Sequence, residues 1–186
     1  MISQYYSSQD LKRLGIGSVG NNVQISKDCV LTGIQNVEIG NNVRIDSYNI
    51  ILANRGFLKI GSNVHIEPSS SIIAHFGISI GDFCTLSHGV RLFTASADYS
   101  GNFFTNAFPE DKFQNPYSGS IEISNHVIIG ANSVVMPNLS IKEGAAVGAM
   151  SFVRHSLDAW KIYGGNPLRT IRNREMSIKH LKVNSD

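Results

Sequence analysis

The chain has 186 residues, of which 42% are hydrophobic and 16% charged, and its formal net charge is +2. This length predicts one domain, spanning residues 1–186, with a sizeable core. The small net charge and the lack of a basic run argue against a nucleic-acid-binding protein. No apolar run reaches the length of a membrane span and residues 1–6 lack a signal peptide's apolar core, so we expect a cytoplasmic protein.

The first predicted element is a short amphipathic helix within residues 7–18. Residues 7–14, SSQDLKRL, combine a serine cap and an early aspartate, and Gly15 follows as a stop signal. We expect this helix to cover the first end of the β-solenoid that the following residues predict, because an uncovered solenoid end would leave strand edges unpaired.

Aliphatic residues recur every six positions over most of the chain. Helices repeat at 3.6 residues and strands at 2, so a period of six with Gly and Asn between the aliphatic positions indicates a β-solenoid of hexapeptides. Slips of two or three residues between runs are interpreted as enlarged turns. Cys29 and Cys84 each follow an aliphatic position by four residues, and we expect both to be reduced thiols that serve as small core residues. The runs are Val19–Val37, Ile39–Phe57, Ile60–Ile78, Ile80–Leu92 and Ile123–Val153.

The period is lost between Phe93 and Ser120, in a segment rich in aromatic residues, Asn and Pro. A loop this long inside a regular solenoid is functional or disordered, and its aromatic residues argue against disorder. We therefore predict an active-site loop over residues 93–120, which packs on a neighbouring surface and separates two β-helix segments, residues 19–92 and 121–158.

Residues 159–186 are predicted to close the other end. Trp160 and Tyr163 can plug the core there, and Pro167 is placed to open a basic C-terminal helix through Arg169, Arg172 and Arg174. The last residues, from about Val183, are expected to fray.

Two segments carry a resemblance to a known family. Val127–Val153 and Tyr163–Arg174 (YGGNPLRTIRNR), in this order, resemble the hexapeptide-repeat acyltransferases, which include the maltose and galactoside acetyltransferases. The loop phrases SADYSG and FTNAFP, within Ser96–Pro109, resemble the branch that acetylates nucleotide-linked 4-amino-4,6-dideoxy sugars for bacterial surface polysaccharides. The resemblance implies an all-β, left-handed parallel β-helix that forms homotrimers, with active sites in clefts between subunits and acetyl-CoA lying along the solenoid.

The resemblance also implies contacts to the pantetheine arm of acetyl-CoA. Gly130 with Ala131, and Gly148 with Ala149, match positions where small residues let a thin chain approach the backbone. The alternative is that these residues only form tight turns.

Cations for the nucleotide phosphates are implied at Arg154, Arg169 and Arg172, since a guanidinium offers phosphate a planar pair of donors. The family's usual lysine after Val153 is His155 here, which leaves that contact open. Asn166 and Pro167 match the family motif and are expected to shape the turn beside the cofactor. For Arg172 and Arg174 the alternative is a solvated basic helix.

The family's catalytic histidine is missing. In maltose-type relatives a loop histidine serves as the base, within a phrase like LYTATH, and the matching position here is Ala97. A sugar hydroxyl needs a base to become a nucleophile, whereas an amine has a reactive free-base fraction near neutral pH. The substitution therefore favours N-acetylation over O-acetylation, which remains the alternative.

Replacement catalytic groups are His88, His75 and Asp98. Asp98 could orient a histidine or bind the sugar amine as its ammonium. Tyr99 and Asn106 are candidate substrate contacts from their place in the loop. The alternatives are solvent-facing turn residues for the histidines and a cap of the DYSG turn for Asp98.

Two other classes of protein remain to be weighed. A metal-dependent hydratase like the gamma carbonic anhydrases would join histidines from adjacent coils, for which His65, His75 and His88 are candidates, but that family's histidine spacing is absent and we expect no metal. A non-catalytic solenoid such as an ice-binding protein would need flat outward columns of threonine, and the chain has only five threonines, none in such a register.

Overall fold

The computed structural model describes residues 4–106 and 110–180. Three sheets, termed faces A, B and C, wrap around one core as a β-helix of about seven turns, and all their strands pair in parallel except the first and last strands of face A. Face A contains β1 (Tyr5–Ser7), β3 (Val23–Ser26), β6 (Val43–Ile45), β9 (His65–Ile66), β12 (Thr85–Leu86), β17 (Ile128–Ile129), β20 (Ala146–Val147), β22 (Lys161–Gly164) and β23 (Arg169–Asn173). Face B contains β2 (Ser18–Val19), β5 (Val37–Ile39), β8 (Leu58–Ile60), β11 (Ile78–Ile80), β16 (Ile121–Ile123) and β19 (Leu139–Ile141). Face C contains β4 (Val30–Thr32), β7 (Ile50–Leu52), β10 (Ser71–Ile73), β13 (Arg91–Phe93), β18 (Val134–Val135) and β21 (Phe152–Val153).

The six-residue period places at least one aliphatic side chain of each central coil strand in the core, and the three-residue strands of face B bury two, such as Ile78 and Ile80 of β11. On face A, Ile66 pairs with Ile45 below and with Leu86 above, and all three are fully buried. Burying each such side chain contributes roughly 1.5–3 kcal/mol. One predicted core position is wrong. Phe57 is 41% exposed, and its neighbour Leu58 is buried instead, because the preceding turn is one residue longer than the pattern implied.

The slips in the pattern are enlarged turns, as predicted, and they occur at one corner of the prism. The turns from face C to face B, termed the CB corner, are residues 33–36, 53–57 and 74–77, followed by the long loop and then by residues 136–138. The turns from face A to face C, termed the AC corner, span four residues in five consecutive coils, at 46–49, 67–70, 87–90, 130–133 and 148–151. Of these two corners, only the CB corner contains enlarged turns.

The predicted N-terminal helix is present as α1 (Ser8–Arg13). Ser7 and Asp10 form a reciprocal capping box, in which the Asp10 carboxylate accepts from the Ser7 backbone at 2.9 Å and Ser7 Oγ accepts from the Asp10 backbone at 3.3 Å. Leu11 is buried against the first coil, and β1 pairs antiparallel with β3. The first coil is therefore covered.

The predicted C-terminal helix after Pro167 is wrong. Residues Arg169–Asn173 form β23, which pairs antiparallel with β22 of the last coil. The last coil offers an open strand edge, and pairing with it satisfies more backbone groups than a solvated helix would. Trp160 and Tyr163 are buried at this end, as expected for a plug. Short 3₁₀ segments lie at Ile34–Asn36, Asp111–Phe113 and Ser177–His180, and residues from Val183 lie outside the described part of the chain.

Candidate active site

An open groove of about 1040 Å³ runs between the base of the long loop and the outer surface of face C. Its floor is apolar, and it is formed by side chains of β13, β18 and β21 with the residue that follows β18. Its wall comes from two stretches of the loop. The floor residues are Phe93, Val134, Met136 and Phe152, and the wall residues are 95–99 and 115–118.

The loop is closed at its base by a two-stranded ladder. β14 (Ala95–Ser96) pairs antiparallel with β15 (Tyr117–Ser118). Farther out, the rings of Phe104 and Phe113 meet edge to face at 6.4 Å, and the Phe104 backbone N–H donates to the Phe113 carbonyl at 2.9 Å. Phe104 and Phe113 therefore pack against each other within the loop. Residues 107–109 of the predicted loop lie outside the described residues.

Asp98 and Tyr99 both line the groove, as expected of site residues. The Asp98 carboxylate accepts hydrogen bonds from the backbone N–H of Ser100 at 3.2 Å and from its hydroxyl at 2.7 Å, so Asp98 also caps the DYSG turn. Tyr99 is 91% exposed. Asn106 faces a smaller pocket of about 210 Å³, which Asp98 and the vacant position Ala97 also line. Asp98 thus contributes to both cavities.

His88 lies at the AC corner, in the turn after β12. Its Nδ1 is 2.5 Å from Oε2 of Glu67, and its backbone N–H donates to the same oxygen at 3.2 Å. The His88 side chain is 65% exposed, whereas that of Glu67 is 27% exposed. The other imidazole nitrogen is therefore available to a ligand.

The predicted cofactor residues stack above His88 on the same corner. The Asn132 backbone donates to the His88 carbonyl at 2.7 Å, and the Met150 backbone donates to the Ala131 carbonyl at 2.8 Å. His88, Ala131 and Ala149 consequently form one column on successive coils. The next level is the turn that contains Asn166 and Pro167, where the Gly165 backbone donates to Ser151 Oγ at 3.1 Å.

The two glycines of this column differ in why they are small. A Cβ on Gly130 would lie 2.5 Å from the Ala149 nitrogen, so packing between coils alone requires glycine there. A Cβ on Gly148 would meet only the Tyr163 carbonyl oxygen at 3.4 Å and the Gly164 Cα at 3.7 Å. The tight-turn interpretation therefore explains why residue 130 is glycine. At residue 148, packing does not by itself require glycine.

The other histidines do not join His88. His75 is half-buried at the CB corner and is not among the residues that line the groove. His65 lies within strand β9 and bonds Asp46 at 2.7 Å, so its ring belongs to a structural contact on face A. His126 does lie in a turn, with its ring stacked on Phe83 at 5.1 Å. Three histidines of one chain therefore do not converge, and within residues 4–106 and 110–180 no group of three metal-ligating side chains is assembled.

The predicted phosphate-binding arginines are exposed. Arg154 follows β21, and Arg169 and Arg172 lie on β23; none of them forms an ion pair with another described residue. Arg174 behaves differently. It donates to the carbonyls of His126 at 2.9 Å and Gly144 at 3.0 Å, and burial lowers its pKa. Arg174 therefore fastens the C-terminal strand to the coils.

Comparison with known proteins supports the resemblance read from the sequence. The dTDP-4-amino-4,6-dideoxy-D-glucose acyltransferase of Escherichia coli is 36% identical over 178 residues, which cover 96% of this chain and 93% of that protein. The chain belongs to the hexapeptide-repeat acyltransferases. No protein-family profile matches it.

Solved structures agree with the fold of this acyltransferase. A serine-to-alanine variant of AntD, an N-acyltransferase from Bacillus cereus, was solved with dTDP-4-amino-4,6-dideoxyglucose and coenzyme A; it is 39% identical over 96% of this chain and 95% of its own, with a TM-score of 0.91. AntD was also solved with dTDP and 3-hydroxybutyryl-CoA. A galactoside acetyltransferase with coenzyme A matches at 21% identity over 95% of this chain and 74% of its own, with a TM-score of 0.57, which shows the fold alone. The predicted left-handed parallel β-helix is confirmed.

Sequence reasoning missed the partner of His88. Glu67 lies 21 positions earlier in the chain, one coil below. Coils of three six-residue repeats would place Ser70 rather than Glu67 beneath His88, so the enlarged turns at the CB corner hid the observed register. It also missed the apolar groove floor, whose residues look like ordinary strand positions.

No helix in the described part of the chain is long and apolar enough to cross a membrane.

Proposed function

We propose that this acyltransferase transfers the acetyl group of acetyl-CoA to the amine of a nucleotide-linked 4-amino-4,6-dideoxy sugar of the dTDP-4-amino-4,6-dideoxyglucose type. The observation that carries the proposal is the match over 96% of the chain to an N-acyltransferase that holds this sugar nucleotide and coenzyme A. The same sugar nucleotide appears in the name of the Escherichia coli relative. Surface-polysaccharide (O-antigen) biosynthesis in the cytoplasm is the setting we propose for this single-domain enzyme.

The proposed roles divide between the two edges of face C. Coenzyme A would lie along the AC corner, beside Ala131, Gly148 and Ala149. Cations for its phosphates would come from Arg154, Arg169 and Arg172, with Asn166 and Pro167 shaping the adjacent turn. The arrangement that supports this is the continuous column of small residues above His88, which leaves the backbone accessible.

The sugar nucleotide would occupy the groove at the loop, where Asp98 would receive the ammonium and Tyr99 and Asn106 would contact the sugar or base. The apolar floor with few polar groups suits a ligand that combines a flat ring with a deoxy sugar. His88 would serve as the base. His75 is the second candidate; it lies in the CB turn one coil below the loop, and it does not line the groove.

A homotrimer would complete this site, because the two half-sites lie at opposite edges of face C in one chain. The lower coils carry exposed apolar side chains at Val30 and Ile50 on face C and at Tyr48 in the adjoining AC turn, which suit contact with a second copy. Neighbouring subunits could then bring the AC corner of one chain toward the loop of the next.

Mass spectrometry of the reaction products tests the function. We expect the intact protein to add one acetyl group to dTDP-4-amino-4,6-dideoxyglucose from acetyl-CoA, and none to the matching 4-hydroxy sugar nucleotide. A parallel reaction with 3-hydroxybutyryl-CoA measures the preference for the donor. Acetylation of the 4-hydroxy sugar alone would establish the O-acetyltransferase alternative and contradict the proposal.

A further inference from the structure

We propose that Glu67 is a positioning residue for catalysis, and that it holds the neutral imidazole of His88 with its free nitrogen toward the reacting amine. The inference rests on the proposed acyl transfer, and it assigns a role to a side chain that neither the repeat pattern nor the family motif marked. It also explains how the chain can act with alanine at the loop position of the usual base.

The geometry fixes both ends of the Glu67–His88 pair. Oε2 of Glu67 receives two donors, the backbone N–H of His88 at 3.2 Å and the ring Nδ1 at 2.5 Å. The backbone of Glu67 itself donates to the Leu86 carbonyl at 2.8 Å, within the ladder that joins the two coils. The carboxylate is therefore carried by a rigid strand end, and it holds both the turn and the ring of His88.

The chemistry of the partner decides the tautomer. An ionised carboxylate has only acceptor atoms, so the imidazole nitrogen that faces it must carry the proton. In the neutral ring this places the hydrogen on Nδ1 and leaves the lone pair on Nε2. The side chain of His88 is 65% exposed and lies one coil below Ala131 in the column, so a ligand that follows this column can reach that lone pair.

A base in this place can carry the proton of the acyl transfer. The amine nitrogen forms a bond to the thioester carbonyl carbon, and the carbon–sulfur bond then breaks. The proton that nitrogen loses passes to Nε2 of His88 and from there to the departing thiolate of coenzyme A. The carboxylate of Glu67 stabilises the imidazolium while it carries that proton.

The chain contains a matched pair one coil lower that serves as a control. His65 bonds Asp46 at 2.7 Å, but Asp46 is buried and also accepts from Arg44 Nε at 2.7 Å and from Tyr5 Oη at 3.0 Å. Although burial raises the pKa of Asp46, the hydrogen bonds from Arg44, His65 and Tyr5 outweigh it and lower the pKa. The charge of Asp46 is thus already balanced by a structural network, whereas His88 is the one side-chain partner recorded for Glu67 in the described structure.

Four variants test the proposal in the full-length enzyme, with kcat and KM for both substrates as readouts. We expect His88→Ala to lower kcat by roughly 100-fold and Glu67→Ala by about 10-fold or more, with KM values within about threefold of wild type. Glu67→Gln keeps an acceptor without the charge, so its kcat should fall between those of Glu67→Ala and wild type. His65→Asn removes the imidazole of the lower pair and should leave kcat unchanged.

The double variant separates positioning from general structural damage. If Glu67 acts only through His88, Glu67→Ala should have no further effect on kcat in a His88→Ala background. An equal loss in both backgrounds, or wild-type kcat in His88→Ala or in both Glu67 variants, would overturn the proposal. Failure of the wild-type protein to acylate the amino sugar would instead refute the proposed function, so the two failures are distinguishable.

Discussion

Replacing Gly144 with alanine should destabilise the C-terminal end of the β-helix. Gly144 has a φ of +66°, and a Cβ there would lie 2.5 Å from both Cε2 and Cε3 of the buried Trp160 ring. The left-handed conformation costs an alanine about 1–2 kcal/mol. Moving the ring adds about 1–3 kcal/mol of overpacking strain. We therefore expect Gly144→Ala to lower the free energy of unfolding by about 2–5 kcal/mol.

Two further glycines separate these contributions. Gly15 has a φ of +85° with nothing within 4 Å of its would-be Cβ, so Gly15→Ala should show the backbone cost alone, about 1–2 kcal/mol. Gly148→Ala adds a Cβ with only ordinary contacts, and we expect its free energy of unfolding to stay within about 1 kcal/mol of wild type.

Chemical denaturation monitored by tryptophan fluorescence is the direct assay, since Trp160 is the single tryptophan of the chain. The native emission of Gly144→Ala should shift to longer wavelength, because the displaced ring meets water. A variant that unfolds with the same free energy as Gly15→Ala and keeps the wild-type emission maximum would show that the ring does not fill this space, and it would refute the packing argument.

Two other predictions concern the loop and the core thiol. Asp98→Ala should lower kcat/KM for the sugar nucleotide by about 10-fold or more. Asp98→Asn can still cap the turn through Ser100, and it should lower kcat/KM nearly as much. Full activity in Asp98→Asn alone would show that Asp98 only caps the turn. Burial raises the pKa of Cys84 to about 11, so near pH 8 the folded protein should react with iodoacetamide at this thiol far more slowly than the unfolded protein. Because of the same shift, Cys84 contributes to stability at pH values below its unfolded pKa, and this contribution is lost as the pH rises toward 11. Fast alkylation of the folded protein near pH 8 would contradict the burial of the thiol.

The fold was largely predictable because the solenoid repeats one local rule. Each coil buries the same kind of side chain, so the period of six could be read without any long-range information. The failures occur where the rule stops. The period predicts Phe57 in the core because it does not show the length of the turn before it. The sequence after Pro167 favours a helix, but the open edge of β22, which the sequence does not show, makes this segment a strand.

The site was harder to predict because its groups come from different coils. His88 and Asp98 could be proposed one at a time from their neighbours in the sequence. Their arrangement at two edges of face C, and the contact between His88 and Glu67, depend on how many residues each turn contains. The ladder of backbone hydrogen bonds decides which residues of neighbouring coils meet, and a single sequence does not show the register of that ladder.

The distribution of turn lengths itself bears on function. Five consecutive AC turns contain four residues each, whereas the CB turns vary from three to five and include the long loop. An extended ligand that contacts several coils needs equivalent backbone groups at a constant rise, and one insertion along its path would break that series. A projecting wall needs the opposite, a corner where residues can be added without disturbing the coils. The regular AC corner therefore suits the elongated pantetheine arm that we propose to lie there, while the variable CB corner suits the proposed recognition of the acceptor. His88 and Glu67 lie on the regular side, where the position of a catalytic group is best held.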